Sequence, residues 1–295
     1  MKRLVGISTL DLQELYGDRR AIEIASEIGA DSIDFFLSHE PFEKGSVYDQ
    51  NDEAIAEYYR GLKEYADECG VLISQTHGRC RFSGDEEKNA IEAEKCRLDC
   101  LATAALGSPA CVVHSVTFGS VSEDDDPQYI RDLNHRMYMT VLPFANRYGV
   151  KIAAETLANS GNRIDFFGDL DELVASVERV EASEYKDCLT VCVDTGHSHK
   201  AVRYGFPPVE DVIRRLGDRI TLLHLHDNNG IKDQHKMPLS GSIDWNKVLD
   251  ALDEVGYNGV YNLELSLRRY GKELAVDHAA FAVKVMRNML CKRYG

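Results

Sequence analysis

Residues 220–245, ITLLHLHDNNGIKDQHKMPLSGSIDW, carry an unusual density of reactive side chains. A short apolar run ends in His226 and Asp227, and a glycine-containing loop then brings Asp233 and His235. Imidazoles and carboxylates in that concentration serve as divalent-metal ligands or as proton-transfer groups, and an apolar core has no use for them. His224 and His226 are two apart, so on a strand they share a face. The same event recurs along the chain. The run ending SQTHG delivers His77, VVHSV delivers His114, AAETL delivers Glu155, CVDTGHSH delivers Asp194 and His197, and NLELS delivers Glu264.

A carboxylate in an apolar strand is costly to bury without a cation or strong donors. Glu155, Asp194 and Glu264 all pose that problem, and if they converge they also repel one another. A shared divalent ion is the simplest solution. Mixed carboxylate and imidazole donors suit Mn²⁺, Zn²⁺, Fe²⁺ or Co²⁺ rather than Ca²⁺, and a set without thiolates is not a structural zinc site. His199, His224 and His278 are left outside this ligand set.

The elements that must position these residues alternate regularly. Strand-like runs occupy 3–8, 32–37, 71–76, 110–116, 151–156, 189–194, 220–226 and 260–265. Helix-like segments occupy 18–28, 51–68, 85–106, 127–148, 169–180, 209–216, 245–255 and 273–292. Gly29, Gly70, Gly107, Gly149, Gly217 and Gly256 stand just past helix ends, and Asn51 is an N-cap with Asp52 and Glu53 behind it. Strands too apolar to have a wet face imply a parallel sheet covered by helices, and eight such units close into a single α/β (β/α)₈ TIM barrel. In that fold the chemistry belongs at the C-terminal ends of the strands, where His77, His114, Glu155, Asp194, His197, His226, Asp233, His235 and Glu264 fall. No G-x-G-x-x-G follows the first strand, which disfavours an open doubly wound sheet. No linker or composition break divides the chain, so residues 1–295 read as one catalytic domain.

Composition excludes several classes. With 34 basic against 49 acidic residues the net charge is −15, which repels polyanions and disfavours nucleic-acid partners. No run reaches the length of a membrane span and the start lacks a signal-peptide pattern, so the expectation is a cytoplasmic protein with no membrane partner. In that compartment the eight cysteines are reduced thiols, Cys96 and Cys100 among them as small buried hydrophobes. The outer helices of a barrel leave room for a homo-oligomer.

Together, Glu155, the D-x-x-H of Asp194 and His197, the H-x-H ending at His226, the D-x-H-x-x-P-L-x-G-x-I-D-W loop and Glu264 resemble the xylose-isomerase-like TIM barrels. That superfamily includes sugar and sugar phosphate isomerases and epimerases as well as endonuclease IV. Similarity to the ketose 3-epimerases implies that Glu155, Asp194, His226 and Glu264 bind one divalent ion. It also implies that Glu155 and Glu264 double as the catalytic proton-transfer pair and that His197 binds a substrate oxygen. Similarity to endonuclease IV implies three zinc ions held by those four together with His77, His114, His197, Asp233 and His235. Departures from the endonuclease lie at Gly78–Arg79–Cys80 after His77 and at Ser115–Val116 after His114.

The leading expectation is therefore a metal-dependent isomerase or epimerase of carbohydrate metabolism, acting on a small-molecule sugar or sugar phosphate. Its cofactor would be one Mn²⁺ or Zn²⁺, with up to three ions accommodated, and proton transfer would pass through a metal-stabilised enediolate. Arg79, Arg81, Arg163, Lys232 and Lys236 stand in rim loops and offer cations for a phosphate. The alternative is a multinuclear-zinc phosphoesterase of the endonuclease IV type.

Overall fold

The computed structural model describes residues 3–37, 42–116, 126–160 and 163–295. Eight parallel strands form one sheet: β1 (Val5–Ser8), β2 (Ser32–Phe36), β3 (Leu72–His77), β4 (Ala110–Val113), β5 (Lys151–Glu155), β6 (Leu189–Asp194), β7 (Ile220–His224) and β8 (Tyr261–Leu263). Each pairs with its sequence neighbour, and β8 returns to pair with β1. Between β7 and β8 the contact is a parallel bridge from Leu225 to Leu263. Leu225 N–H donates to Asn262 O and Glu264 N–H donates to Leu225 O, which closes the barrel. Strand order and closure make this the (β/α)₈ barrel that the alternation implies.

The helices are α1 (Leu10–Tyr16), α2 (Asp18–Glu27), α3 (Asp52–Glu68), α4 (Glu86–Ala105), α5 (Pro127–Tyr148), α6 (Leu170–Glu181), α7 (Thr195–Ala201), α8 (Val209–Leu216), α9 (Trp245–Glu254) and α10 (Gly271–Tyr294). The starts of α3, α4, α5, α6, α7 and α9 are set by side chains that accept otherwise orphaned backbone donors. Asn51 accepts from Ala54 N–H, Asp85 from Glu87 and Lys88, and Asp126 from Gln128 ahead of Pro127. Gly149 ends α5 in the left-handed region at φ 70°, which a residue with a Cβ adopts only at a cost. The apolar faces of the helices pack on the outer faces of the strands to form the main core. A second, smaller apolar cluster of Ala110, Val112, Ala153, Cys192 and Leu222 fills the inside of the barrel.

Three expected strands end two or three residues before the apolar runs that suggested them. β4 stops at Val113 rather than 116, β7 at His224 rather than 226, and β8 at Leu263 rather than 265. At β4 the chain leaves the ladder at the barrel mouth and its backbone groups take other partners, Val116 N–H donating to the Asn134 side chain of α5. Past β7 and β8 the Leu225 bridge is the last pairing between them. The short helices α1 and α7 and the hairpin Asn159–Ser160 with Arg163–Ile164 are additions to the alternation. All eight cysteines are free. Among the described residues no helix is long and apolar enough to cross a membrane.

Candidate metal centre

The C-terminal mouth of the barrel collects every expected ligand. Glu155 ends β5 almost fully buried, with Oε1 2.9 Å from His224 Nδ1 and Oε2 2.9 Å from His114 Nε2. His77 Nε2 is 3.5 Å from the same Oε2, and His197 Nδ1 is 3.6 Å from Oε1. Four imidazoles therefore face one carboxylate. His114 lies off the hydrogen-bonding direction, so Glu155 Oε2 faces two imidazole nitrogens without a hydrogen bond.

Asp194 ends β6 and performs two tasks. Its Oδ1 accepts the His197 N–H at 2.6 Å, capping α7 and fixing where His197 leaves the strand. The same carboxylate faces His226 Nε2 at 2.9 Å and His197 Nδ1 at 3.5 Å. Beyond it, His197 Nε2 is 3.1 Å and His235 Nε2 3.3 Å from Asp233 Oδ2. His226 and His235 stack at 3.8 Å between ring centroids, 11° from parallel.

The loop carrying Asp233 and His235 is seated by Asp227. Its carboxylate accepts from Trp245 Nε1 at 2.9 Å and from Ile243 N–H, and its backbone bridges to Lys236. Asp227 is thereby committed to the loop. His235 itself has φ 43°, a left-handed conformation uncommon outside glycine, and this aims its ring inward.

Glu264, just past β8, brings Oε2 to 3.4 Å from His224 Nδ1 and 3.7 Å from His235 Nδ1. That oxygen is buried without a hydrogen-bond donor.

Within these contacts, potential ligand atoms lying within 4.8 Å of one another form overlapping groups. One is His77, His114 and Glu155; one is Glu155, Asp194, His224 and Glu264; one is His197, His226, Asp233 and His235. His77, His224 and Glu264 make a further combination. His226, expected at a single point with Glu155, Asp194 and Glu264, groups instead with the Asp233 loop. His224, which the sequence left out, takes that place.

The electrostatics follow from this crowding. Burial pushes Glu155 up, but His224 and His114 hold its carboxyl well below the usual range. Burial likewise opposes, and His197 and His226 outweigh it, at Asp194, which is lowered. His197 is raised well above its usual value because Asp194 and Asp233 overcome its burial. His224 is also raised well above, with Cys192, Glu264 and Glu155 overcoming burial. His235 rises to about 9 against burial, chiefly through its contact with Asp233. The carboxylates thus raise His197, His224 and His235, whereas burial lowers His114; a divalent ion can offset the same carboxylates with the same atoms. The orphaned Glu155 and Glu264 oxygens and the oxygen–nitrogen donor set fit such an ion.

A cavity of about 620 Å³ opens over the cluster, lined by His77, His114, Glu155, His197, Asp233, His235 and Glu264 with Phe36, Arg79 and Arg81. Phe36 stacks on His77 at 4.4 Å and lines the cavity, whereas Phe35, Phe166 and Phe167 belong to the core. Of the rim cations, Arg79 is tied to the fully buried Asp99 at 2.6 Å. Arg81 stands 3.4 Å from His114 Nδ1. The side chain of Arg163 lies outside the described residues.

Residues 22–287 match a family model described as xylose isomerase-like TIM barrel. Among curated relatives, "Uncharacterized protein y4fM" of Sinorhizobium fredii is 29% identical over 188 residues, 63% of this chain and 55% of that protein. "Probable endonuclease 4" of Oceanobacillus iheyensis is 32% identical over 143 residues, 45% of this chain and 43% of that protein. The chain spans about half the length of the curated relatives it matches. Among solved structures, a D-tagatose 3-epimerase-like protein superimposes with a TM-score of 0.72 at 22% identity, covering 97% of this chain and 99% of its own. The IOLI protein with a bound zinc atom gives 0.75 at 18% identity, covering 99% of both chains. These two likenesses show the fold.

Proposed function

Because the chain belongs to the xylose isomerase-like TIM barrel family, we propose that it is a divalent-metal-dependent isomerase or epimerase of a sugar or sugar phosphate, with residues 1–295 as one catalytic unit. The observation that carries this reading is the convergence of Glu155, Asp194, His224 and Glu264, whose ligand atoms lie within 4.8 Å of one another beneath an open cavity. These four would hold one Mn²⁺ or Zn²⁺. When bound, such an ion supplies the charge that makes a proton beside a carbonyl easier to remove.

The chain's own residues do the rest. Glu155 and Glu264 project from β5 and from the end of β8 and both line the cavity, so one carboxylate can take a proton and the other return it. His114 and His224 hold Glu155 ionised, the state a base requires. His197 is fixed by the Asp194 cap and also lines the cavity, where it can donate to a substrate hydroxyl. Arg81, at the same rim, offers a cation for a phosphate.

The test is turnover of a panel of ketoses and ketose phosphates in D₂O with Mn²⁺ or Zn²⁺. Solvent deuterium should enter the substrate, and Glu155→Gln or Glu264→Gln should each stop it. Turnover without any label would count against a solvent-exchanging carboxylate pair.

A second reading rests on a separate observation. The groups around His77 and His114, and around Asp233 and His235, flank the central one, and Glu155 belongs to two of them. Three adjoining ligand groups suit multinuclear phosphoester hydrolysis, in keeping with the endonuclease-like relatives. The net charge of −15 opposes a nucleic-acid substrate. Three zinc ions per chain together with phosphoesterase activity would favour this reading; one ion with deuterium exchange would favour the first.

A further inference from the structure

Strand β2 contributes no residue to any of the ligand groups, yet two of its side chains touch ligands, Asp34 the His224 ring and Phe36 the His77 ring. Asp34 and Phe36 are two apart and point to the same face, into the barrel. Asp34 Oδ2 lies 3.0 Å from His224 Nε2, with both residues fully buried. The other ring nitrogen of His224, Nδ1, is the one facing Glu155 at 2.9 Å and Glu264 at 3.4 Å. Phe36 stacks on His77 at 4.4 Å, and His77 stacks in turn on His224 at 5.6 Å and 12°. His224 is therefore held at its edge by Asp34 and at its face by a Phe36–His77 stack.

We propose that Asp34 is a positioning residue for the metal centre. It takes the Nε2–H of His224, fixes the tautomer, and thereby presents the Nδ1 lone pair to the ion held with Glu155, Asp194 and Glu264. The inference rests on the metal reading given above. A purely structural use of Asp34 fits the contacts poorly. Its Oδ1 is buried with no hydrogen-bond partner, and the bond to His224 is the side chain's one hydrogen bond among the described residues. A buried carboxylate with a single partner is costly unless that partner needs it. Carboxylates behind metal-bound histidines do this work generally, and losing one typically costs about 10–100-fold in metal affinity.

The test uses the full-length chain and Mn²⁺ or Zn²⁺ alone, with affinity measured by competition against a chelator. Asp34→Ala should weaken binding about 10–100-fold, and Asp34→Asn should weaken it less, because its amide oxygen can still accept the hydrogen bond from His224 Nε2–H. The visible spectrum of the Co²⁺-loaded variants should shift, while their ion-free melting temperatures show that they fold. A wild-type chain that binds and variants that bind equally tightly, with an unchanged Co²⁺ spectrum, would overturn the role of Asp34 alone. A wild-type chain that binds neither Mn²⁺ nor Zn²⁺ would overturn the metal reading and this inference together.

Discussion

Two levels of the same barrel interior differ in kind across a single pleat. Val112, Ala153, Cys192 and Leu222 pack inside the barrel, and two residues further along each chain stand His114, Glu155, Asp194 and His224. The strand geometry is common to both levels. Below, small apolar side chains fill the space and contribute stability through burial. Above, buried carboxylates and imidazoles contribute little net stability, since desolvation offsets their attraction. The comparison teaches that one level holds the fold together while the other draws on that stability to keep charges in place.

Substitutions at the two levels should separate these roles. The largest effect belongs to Glu155→Gln, which removes charge from the residue that four imidazoles face. Turnover should fall by at least about 10²-fold, with loss of bound metal per folded chain by elemental analysis. At the lower level, Leu222→Ala should destabilise the chain by about 2–5 kcal/mol in denaturant unfolding, with the metal content per folded chain unchanged. Metal loss in that variant would break the distinction.

A smaller effect concerns pH. The folded His235 value of about 9 stands above its ordinary 6.5, so its contribution to the stability of the ion-free chain is complete below about 6.5 and fades as pH rises through about 9. Ion binding requires the proton to leave, so Zn²⁺ affinity should rise over that same window. Thermal melts of chelator-treated protein and Zn²⁺ competition titrations should therefore run in opposite directions with pH. The smallest change is expected outside the barrel. Arg214 pairs with Asp211 and Glu254 on the surface, and Arg214→Ala should leave the melting temperature almost unchanged, because water and salt screen such pairs.

How much of this was legible in the sequence varies with the kind of signal. The order of the strands was readable because each is a short apolar run, and helix starts because Asn51 and Asp85 are strong caps, but the apolar runs of β4, β7 and β8 continue past the ends of their ladders. The two short helices were not readable, since α7 is too short to show a period and begins on a ligand, Asp194. The exchange of His224 for His226 has a different origin. A period of two puts both on one face, but how deep each sits depends on the stagger of strands around the barrel, which local pattern does not encode. Asp34 did leave a signal. An acid inside the apolar run SIDFF is the same anomaly that singled out Glu155, and it passed unremarked because its strand ends without a further ligand.

The cap that Asp194 places on α7 gives the site an outward-facing gauge. One carboxylate oxygen both secures the His197 amide and looks toward the His226 ring. Whatever pulls on that oxygen from within must tighten or loosen the first turn of α7, so the deuterium uptake of this one backbone amide should track occupancy of the centre without any substrate being known.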